Sequence, residues 1–283
     1  MKSHRTKLVF VYIIIFICCL IISDFLASKY ALSVSYYSLS DDRIERVRIV
    51  QISDLHNSEF GKNNHRLIET VVDQNPDLIL ITGDLLNSNE DNIETATCLI
   101  ENLTVIADVY ISIGNHEKDY RERTGIGINS LYTDAGAVVL DETYIDISIN
   151  GQELRIGGVY GYCLPMRFVN EEGFRQDQCE LLTEFQNTER YKILMSHLPY
   201  SWWNYSFGNE WDVDLVLCGH THGGQVIIPF VGGLYDGETG WFPGQVSGYK
   251  KDGADIIVSR GLGNTEKLPR FNNTPEIVVI DIE

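Results

Sequence analysis

Positive charge is scarce in this chain. In 283 residues, 22 Lys and Arg face 40 Asp and Glu, a formal net charge of −18. Lys2, Arg5, Lys7 and Lys29 lie in the first thirty residues against Asp24 alone, so the rest is more acidic still. A body of that sign argues against nucleic acid as a partner, because phosphate-backbone binding runs on Lys and Arg contacts. Paired cysteines are missing as well: six are present, none in a Cys-x-x-Cys arrangement, which removes zinc knuckles and thioredoxin-type redox motifs. Cys18 and Cys19 fall in an apolar run, and Cys98, Cys163, Cys179 and Cys218 are expected to be isolated buried thiols. There is no Gly-x-Ser-x-Gly elbow, no Walker A loop, no internal repeat and no low-complexity tract.

Long apolar runs are confined to the N-terminus. Leu8 to Ile22 is unbroken, and with the residues to Ala27 it reaches about the twenty needed to span a bilayer. Lys2, Arg5 and Lys7 precede it, so the positive-inside bias puts residues 1–7 in the cytoplasm and the body outside it. A cleaved signal peptide is the competing reading. Leu26-Ala27-Ser28 is a poor cleavage site, and an uncleaved anchor over 8–28 is favoured. Residues 29–46 are expected to be an extended lead-in, and 47–283 one large α/β domain.

Within that domain the spacing predicts strand–helix alternation. Val47 to Ser53 reads as a strand delivering Asp54-Leu55-His56. A helix capped by Asn64 carries Leu67, Ile68, Val71 and Val72 on one face and stops at Asn75-Pro76. Leu78 to Ile81 is a strand ending in Gly83-Asp84, a helix runs from Glu90 to Leu103, and Val109 to Ile113 ends in Gly114-Asn115-His116-Glu117. The pattern then turns antiparallel, with Tyr144 to Ile149 and Glu153 to Val159 flanking the hairpin signal Asn150-Gly151. A helix over Phe174 to Phe185 follows. Tyr191 to Met195 leads to His197, and Val213 to Leu217 to Cys218-Gly219-His220-Thr221-His222-Gly223-Gly224. Gln225 to Pro229, Asp255 to Ser259 and Ile277 to Ile280 are expected strands, and the Gly-rich 231–253 stretch a loop.

The strand-end residues Asp54, His56, Asp84, Asn115, His116, His197, His220 and His222 are the chemistry-bearing set. Ligands in open α/β sheets bind beyond the carboxyl ends of the strands, so these tips should share one crevice. Oxygen and imidazole donors without thiolate suit manganese, iron or zinc. They are too many for one ion with an open position and enough for two ions sharing a carboxylate. Such a pair would hold water or hydroxide between the ions and clamp a phosphate ester for in-line displacement. His116 fits a general acid to the leaving oxygen, or a donor to the phosphoryl group.

Asp54-x-His56, Gly83-Asp84, Gly114-Asn115-His116-Glu117, His197 and Gly219-His220-Thr221-His222, in that order, resemble the five motif blocks of the calcineurin-like metallophosphoesterases. Gly219 to Gln225 is similar to the last block of their membrane-anchored bacterial branch. The resemblance implies one metal on Asp54, His56 and His222, a second on Asn115, His197 and His220, and Asp84 bridging. It also implies His116 as the catalytic histidine and a four-layer α-β-β-α sandwich of mixed α/β type. The expected activity is phosphoesterase, with diesters favoured over monoesters. Phosphoprotein phosphatase and a catalytically silent scaffold are the alternatives. Substrates would be phosphate esters, lipid or cell-envelope components among them. Tyr200, Trp202, Trp203, Tyr205, Phe207 and Trp211 are read as an aromatic lip or as packing, and Arg270 as a weaker phosphate contact.

Overall fold

A computed structural model of the chain describes residues 2–161, 179–205, 207–264 and 268–283, with side chains from residue 10 onward. The apolar N-terminal run forms α1 (Lys2–Tyr30), and its side chains from Phe10 to Ile22 face outward. Over Phe10–Tyr30 it is long and apolar enough to cross a membrane. Its last turns are held by the domain. The Asn272 N–H donates to Asp24 (2.6 Å), the Asn273 N–H to Ser28 Oγ (3.3 Å), and the Phe25 and Phe271 rings lie 5.1 Å apart.

Two six-stranded sheets carry the domain. The first runs β1 (Ser33–Leu39), β15 (Glu276–Ile282), β2 (Val47–Ile52), β3 (Leu78–Ile81), β4 (Asp108–Ser112), β5 (Val138–Leu140), with β2 to β5 parallel. The second runs β13 (Gly248–Asp252), β14 (Ala254–Val258), β9 (Leu215–Cys218), β8 (Tyr191–Ser196), β7 (Gln152–Val159), β6 (Thr143–Ile149); its four central strands are parallel and each edge is an antiparallel hairpin.

The continuous apolar strands make sense only if both faces are covered. Ile79 and Ile81 pack outward against Leu67 and Val71 of α2 (His65–Gln74) and Leu99 and Ile100 of α3 (Glu94–Leu103), while Leu78 and Leu80 point inward to meet Ile156, Ile193 and Leu217 of the other sheet. A third apolar layer puts Leu194 and Val216 against Leu182 and Phe185 of α6 (Glu180–Phe185). Three apolar layers between four layers of secondary structure are the expected α-β-β-α sandwich. Each such side chain, fully buried, contributes about 1.5–3 kcal/mol.

Several expectations change. The lead-in is a strand: β1 pairs in parallel with the last strand of the chain, so the first sheet begins at residue 33. Asn64 does start α2, but in a left-handed conformation and without a side-chain cap, its Oδ1 accepting the Phe60 N–H instead. The helix expected from Glu90 begins at Glu94, where the Asn92 side chain accepts the Thr95 N–H. No sequence reading anticipated α4 (Asn115–Thr124), α5 (Ile128–Asp134) or β5. The helix expected over Phe174 to Phe185 is present from Glu180, and positions 174–178 lie outside the described residues.

The Gly-rich stretch is not a loop. After β10 (Ile227–Ile228) it forms β11 (Gly232–Asp236) and β12 (Gly240–Gly244), a three-stranded antiparallel ribbon, and then β13. Of the two readings of the aromatic run, packing holds for three of its residues. Trp202 on α7 (Tyr200–Trp203), with Phe207 and Trp211, is buried in the third apolar layer, because its neighbours Val216 and Ile256 leave that face of the sheet to be covered. Cys179 is disulfide-bonded, which corrects the expectation of isolated thiols; its partner lies outside the described residues. The Asn150-Gly151 hairpin holds, both residues taking positive φ (52° and 79°) as the two-residue turn requires.

Candidate metal centre

Every predicted ligand lies just past the carboxyl end of a strand: Asp54 and His56 after β2, Asp84 after β3, Asn115 after β4, His197 after β8, His220 and His222 after β9. Five of the seven, Asp54, His56, Asp84, His220 and His222, have φ between 48° and 70°. Left-handed backbone at non-glycine residues costs on the order of 1–3 kcal/mol each and persists where surrounding structure enforces it. The enforcement is visible in the loop-to-loop bonds. Asp54 N–H donates to Gly83 O and His56 N–H to Asp84 O, both at 3.0 Å, and His220 N–H to Asp54 Oδ1 at 2.9 Å. Gly114 is needed because a Cβ there would collide with the Asp84 carboxylate.

The side chains form overlapping groups. Asp54, His56 and His222 have donor atoms within 4.8 Å of one another; so do His56, Asp84 and His116, and Asp84, His197 and His220. Asp84 therefore belongs to both halves of the site. Its Oδ2 lies 3.2 Å from His197 Nε2 and 3.7 Å from His56 Nε2. Asn115 Oδ1 is 3.0 Å from His197 Nε2 and 3.0 Å from His220 Nδ1. His56 Nε2 and His222 Nε2 are 3.1 Å apart.

Such a donor set fits cations. Asp54, His56, Asp84, His197 and His222 are all buried, and lone-pair atoms crowd one point, an arrangement that is costly unless positive charge compensates it. A backbone carbonyl selects the His197 tautomer: its Nδ1 is 2.7 Å from Thr82 O, so Nδ1–H donates there and, in the neutral ring, the Nε2 lone pair faces the centre. His222 Nδ1 lies 3.2 Å from Gly263 O and 3.1 Å from the Arg270 guanidinium. Burial pulls His56 down to about 3 and His220 to about 4, leaving both neutral and ready to ligate. Burial also pulls His197 down, but the Asp84 charge and hydrogen bond outweigh it and lift His197 to about 9.

His116 stands apart. Its Nδ1 accepts the Ser88 N–H at 3.0 Å, which leaves Nε2 as the nitrogen that carries a proton. Its own N–H donates to Asp84 Oδ1 at 2.8 Å, and its ring meets His56 edge-on at 4.5 Å.

Three contributors were not assigned from sequence. Glu117, at the start of α4, accepts N–H bonds from Asp84, Leu85 and Gly114 at 2.8–3.0 Å and the Tyr132 hydroxyl at 3.0 Å, tying the second and third motif loops together. Arg270, expected to touch phosphate, is buried; its guanidinium donates to Gly263 O and Arg260 O and lies 3.1 Å from His222 Nδ1, so it braces the loop behind that ligand. Gln225 is buried at φ 62°, its Oε1 without a hydrogen-bond partner among the described residues. It lines the cleft with His116, His220, Tyr235 and Asp236. Nothing short of the packed loops signals these roles. Size does not locate the site either: the cleft is about 60 Å³, whereas a recess of about 310 Å³ between Arg46, Asn75 and Gln152 contains none of the ligand set.

Comparison with known proteins agrees with this geometry. The chain is 29% identical over 208 residues to the metallophosphoesterase Cj0846 of Campylobacter jejuni, a match covering 67% of this chain and about half (50%) of that protein. It is 28% identical over 256 residues to metallophosphoesterase YkuE of Bacillus subtilis, covering 87% of this chain and 82% of the relative. Phosphodiesterase YaeI of Escherichia coli is 25% identical over 249 residues, covering 85% and 84%. The family model for calcineurin-like phosphoesterases matches residues 47–224, which begins at β2 and takes in every residue of the ligand cluster. The chain thus belongs to the calcineurin-like phosphoesterase family.

Proposed function

We propose that this chain is a dinuclear-metal phosphodiesterase held at the cell membrane by α1, with its catalytic domain outside the cytoplasm. The observation that carries the reading is the shared carboxylate: Asp84 belongs to two separate imidazole groups at once. Asp54, His56 and His222 would hold one ion, Asn115, His197 and His220 the other, with Asp84 between them. Two such ions supply an activated water near neutral pH and neutralise phosphoryl oxygens.

The chain's own groups do the rest. The Ser88 amide keeps the proton of His116 on Nε2, where it can donate to the leaving oxygen or to a phosphoryl oxygen. Thr82 O keeps the His197 imidazole in the ligating tautomer. Diesters are favoured by the relative named a phosphodiesterase. The placement outside the cytoplasm rests on the basic residues ahead of α1 and on the disulfide at Cys179, since such bonds persist in oxidising compartments.

The full chain in detergent, freed of metal and then given manganese, should hydrolyse a bis-aryl phosphate faster than an aryl monophosphate. The reverse preference points to a phosphomonoesterase. Metal uptake without turnover of either substrate points to a scaffold.

A further inference from the structure

Aromatic side chains that fold without being covered need a reason, and the ribbon has several. Phe230 and Val231 at the β10–β11 turn, and Trp241 and Phe242 on β12, are all exposed, Phe230 completely. Phe230 (φ 68°) and Phe242 (φ 58°) also hold left-handed backbone, which bulky residues rarely adopt. Burial does not account for these four side chains.

The ribbon is rooted at the membrane helix. The Ile227 N–H donates to Phe271 O (3.1 Å), and the Asn272 side chain donates to Ile227 O (2.8 Å). The same short segment grips α1, through Asn272 N–H to Asp24 and Phe271 against Phe25. Only Ile228 and Pro229 separate Ile227 from Phe230, a reach of about 11 Å at most. The 21 residues of Phe10–Tyr30 rise about 31 Å, the thickness of a bilayer core, and the domain grips their last turns at Asp24, Phe25 and Ser28. Structure that grips the last turns of such a span lies at the edge of the hydrocarbon. The flanking structure here is Asp24, Phe271 and the root of the ribbon.

Resting on the anchored reading above, we propose that the β10–β12 ribbon is a second membrane contact, its Phe230, Val231, Trp241 and Phe242 lying in the lipid headgroup layer. Trp and Phe side chains suit that layer. Residues 226–248 contain no Lys or Arg, so the docking is apolar and does not rest on attraction to anionic headgroups that high salt would remove. Because Tyr235 and Asp236 of β11 wall the metal cleft, docking fixes the cleft's orientation to the bilayer surface.

The test uses the full chain in vesicles of phosphatidylethanolamine and phosphatidylglycerol, with plain or brominated acyl chains. Trp241 fluorescence is isolated by subtracting the Trp241→Phe variant. Bromination should reduce the Trp241 signal by about half, with or without high salt, and Phe230→Asp with Phe242→Asp should abolish the quenching while leaving turnover of a soluble bis-aryl phosphate unchanged. Equal Trp241 emission in both vesicle types, with the chain resisting carbonate extraction, overturns the ribbon contact alone. Extraction of the chain by carbonate overturns the anchor and the ribbon contact with it. Cross-linking of Trp241→Cys between two chains, without quenching, assigns the ribbon to a second copy and refutes the lipid contact.

Discussion

The two sheets meet at the candidate metal centre with different contributions. The first supplies the oxygen donors Asp54, Asp84 and Asn115, together with His56 and His116; the second supplies imidazoles alone, His197, His220 and His222. Neither set suffices. The first holds the shared carboxylate and the whole of the His56, Asp84 and His116 group, but the other two groups need His222, His197 and His220, and the second sheet brings no carboxylate. The lesson is that the site belongs to the joint between the sheets, so loss of one ligand should act according to whether both halves use it.

The sharpest break of that contrast is Asp84→Asn, which removes the only carboxylate common to both groups. Metal content and turnover should fall together to background, checked by metal analysis of the dialysed protein beside the rate on a bis-aryl phosphate. His116→Ala should separate the two quantities: bound metal stays and the rate falls about 10²–10⁴-fold, the usual contribution of a proton donor. If metal is lost as well, His116 is a ligand and the division of roles is wrong.

A smaller effect is expected at Glu117→Gln, which keeps the shape but weakens the acceptor binding three amides of the two loops. Metal affinity should drop about 10–100-fold, as for other groups that orient ligands without touching the ion. The pH dependence is smaller again. In the metal-free protein His197 keeps its proton until about pH 9, held by Asp84, whereas His56 and His220 are already neutral. A cation must displace that proton, so affinity should climb with pH up to about 9, with proton release in calorimetry using buffers of different ionisation enthalpy. A flat profile over that range would show that Asp84 does not hold a proton on His197.

What the sequence made legible follows from the range of the forces involved. The strand-end residues could be read because a parallel strand covered on both faces is a continuous apolar run, and its end is marked by a polar residue or a glycine. The Asn150-Gly151 turn could be read because its conformational demand is local. For Trp202 and Trp211 lip and packing both stayed open, because nothing nearby in sequence says that α7 covers Val216 and Ile256. The ribbon was missed because β11 and β12 are built on glycine and proline without apolar alternation, and their pairing comes from register across the turns. Strand β1 was missed because its partner is the other end of the chain. Glu117 could not be assigned because its donors come from two loops about thirty residues apart.

The central claim is a pair of cations shared across the two sheets by Asp84. Metal titration of the full chain, followed by equilibrium dialysis and elemental analysis, tests it most directly. Two ions per chain are expected, falling to one in His220→Ala and to none in Asp84→Asn. A single ion per chain, unchanged in His220→Ala, would contradict it.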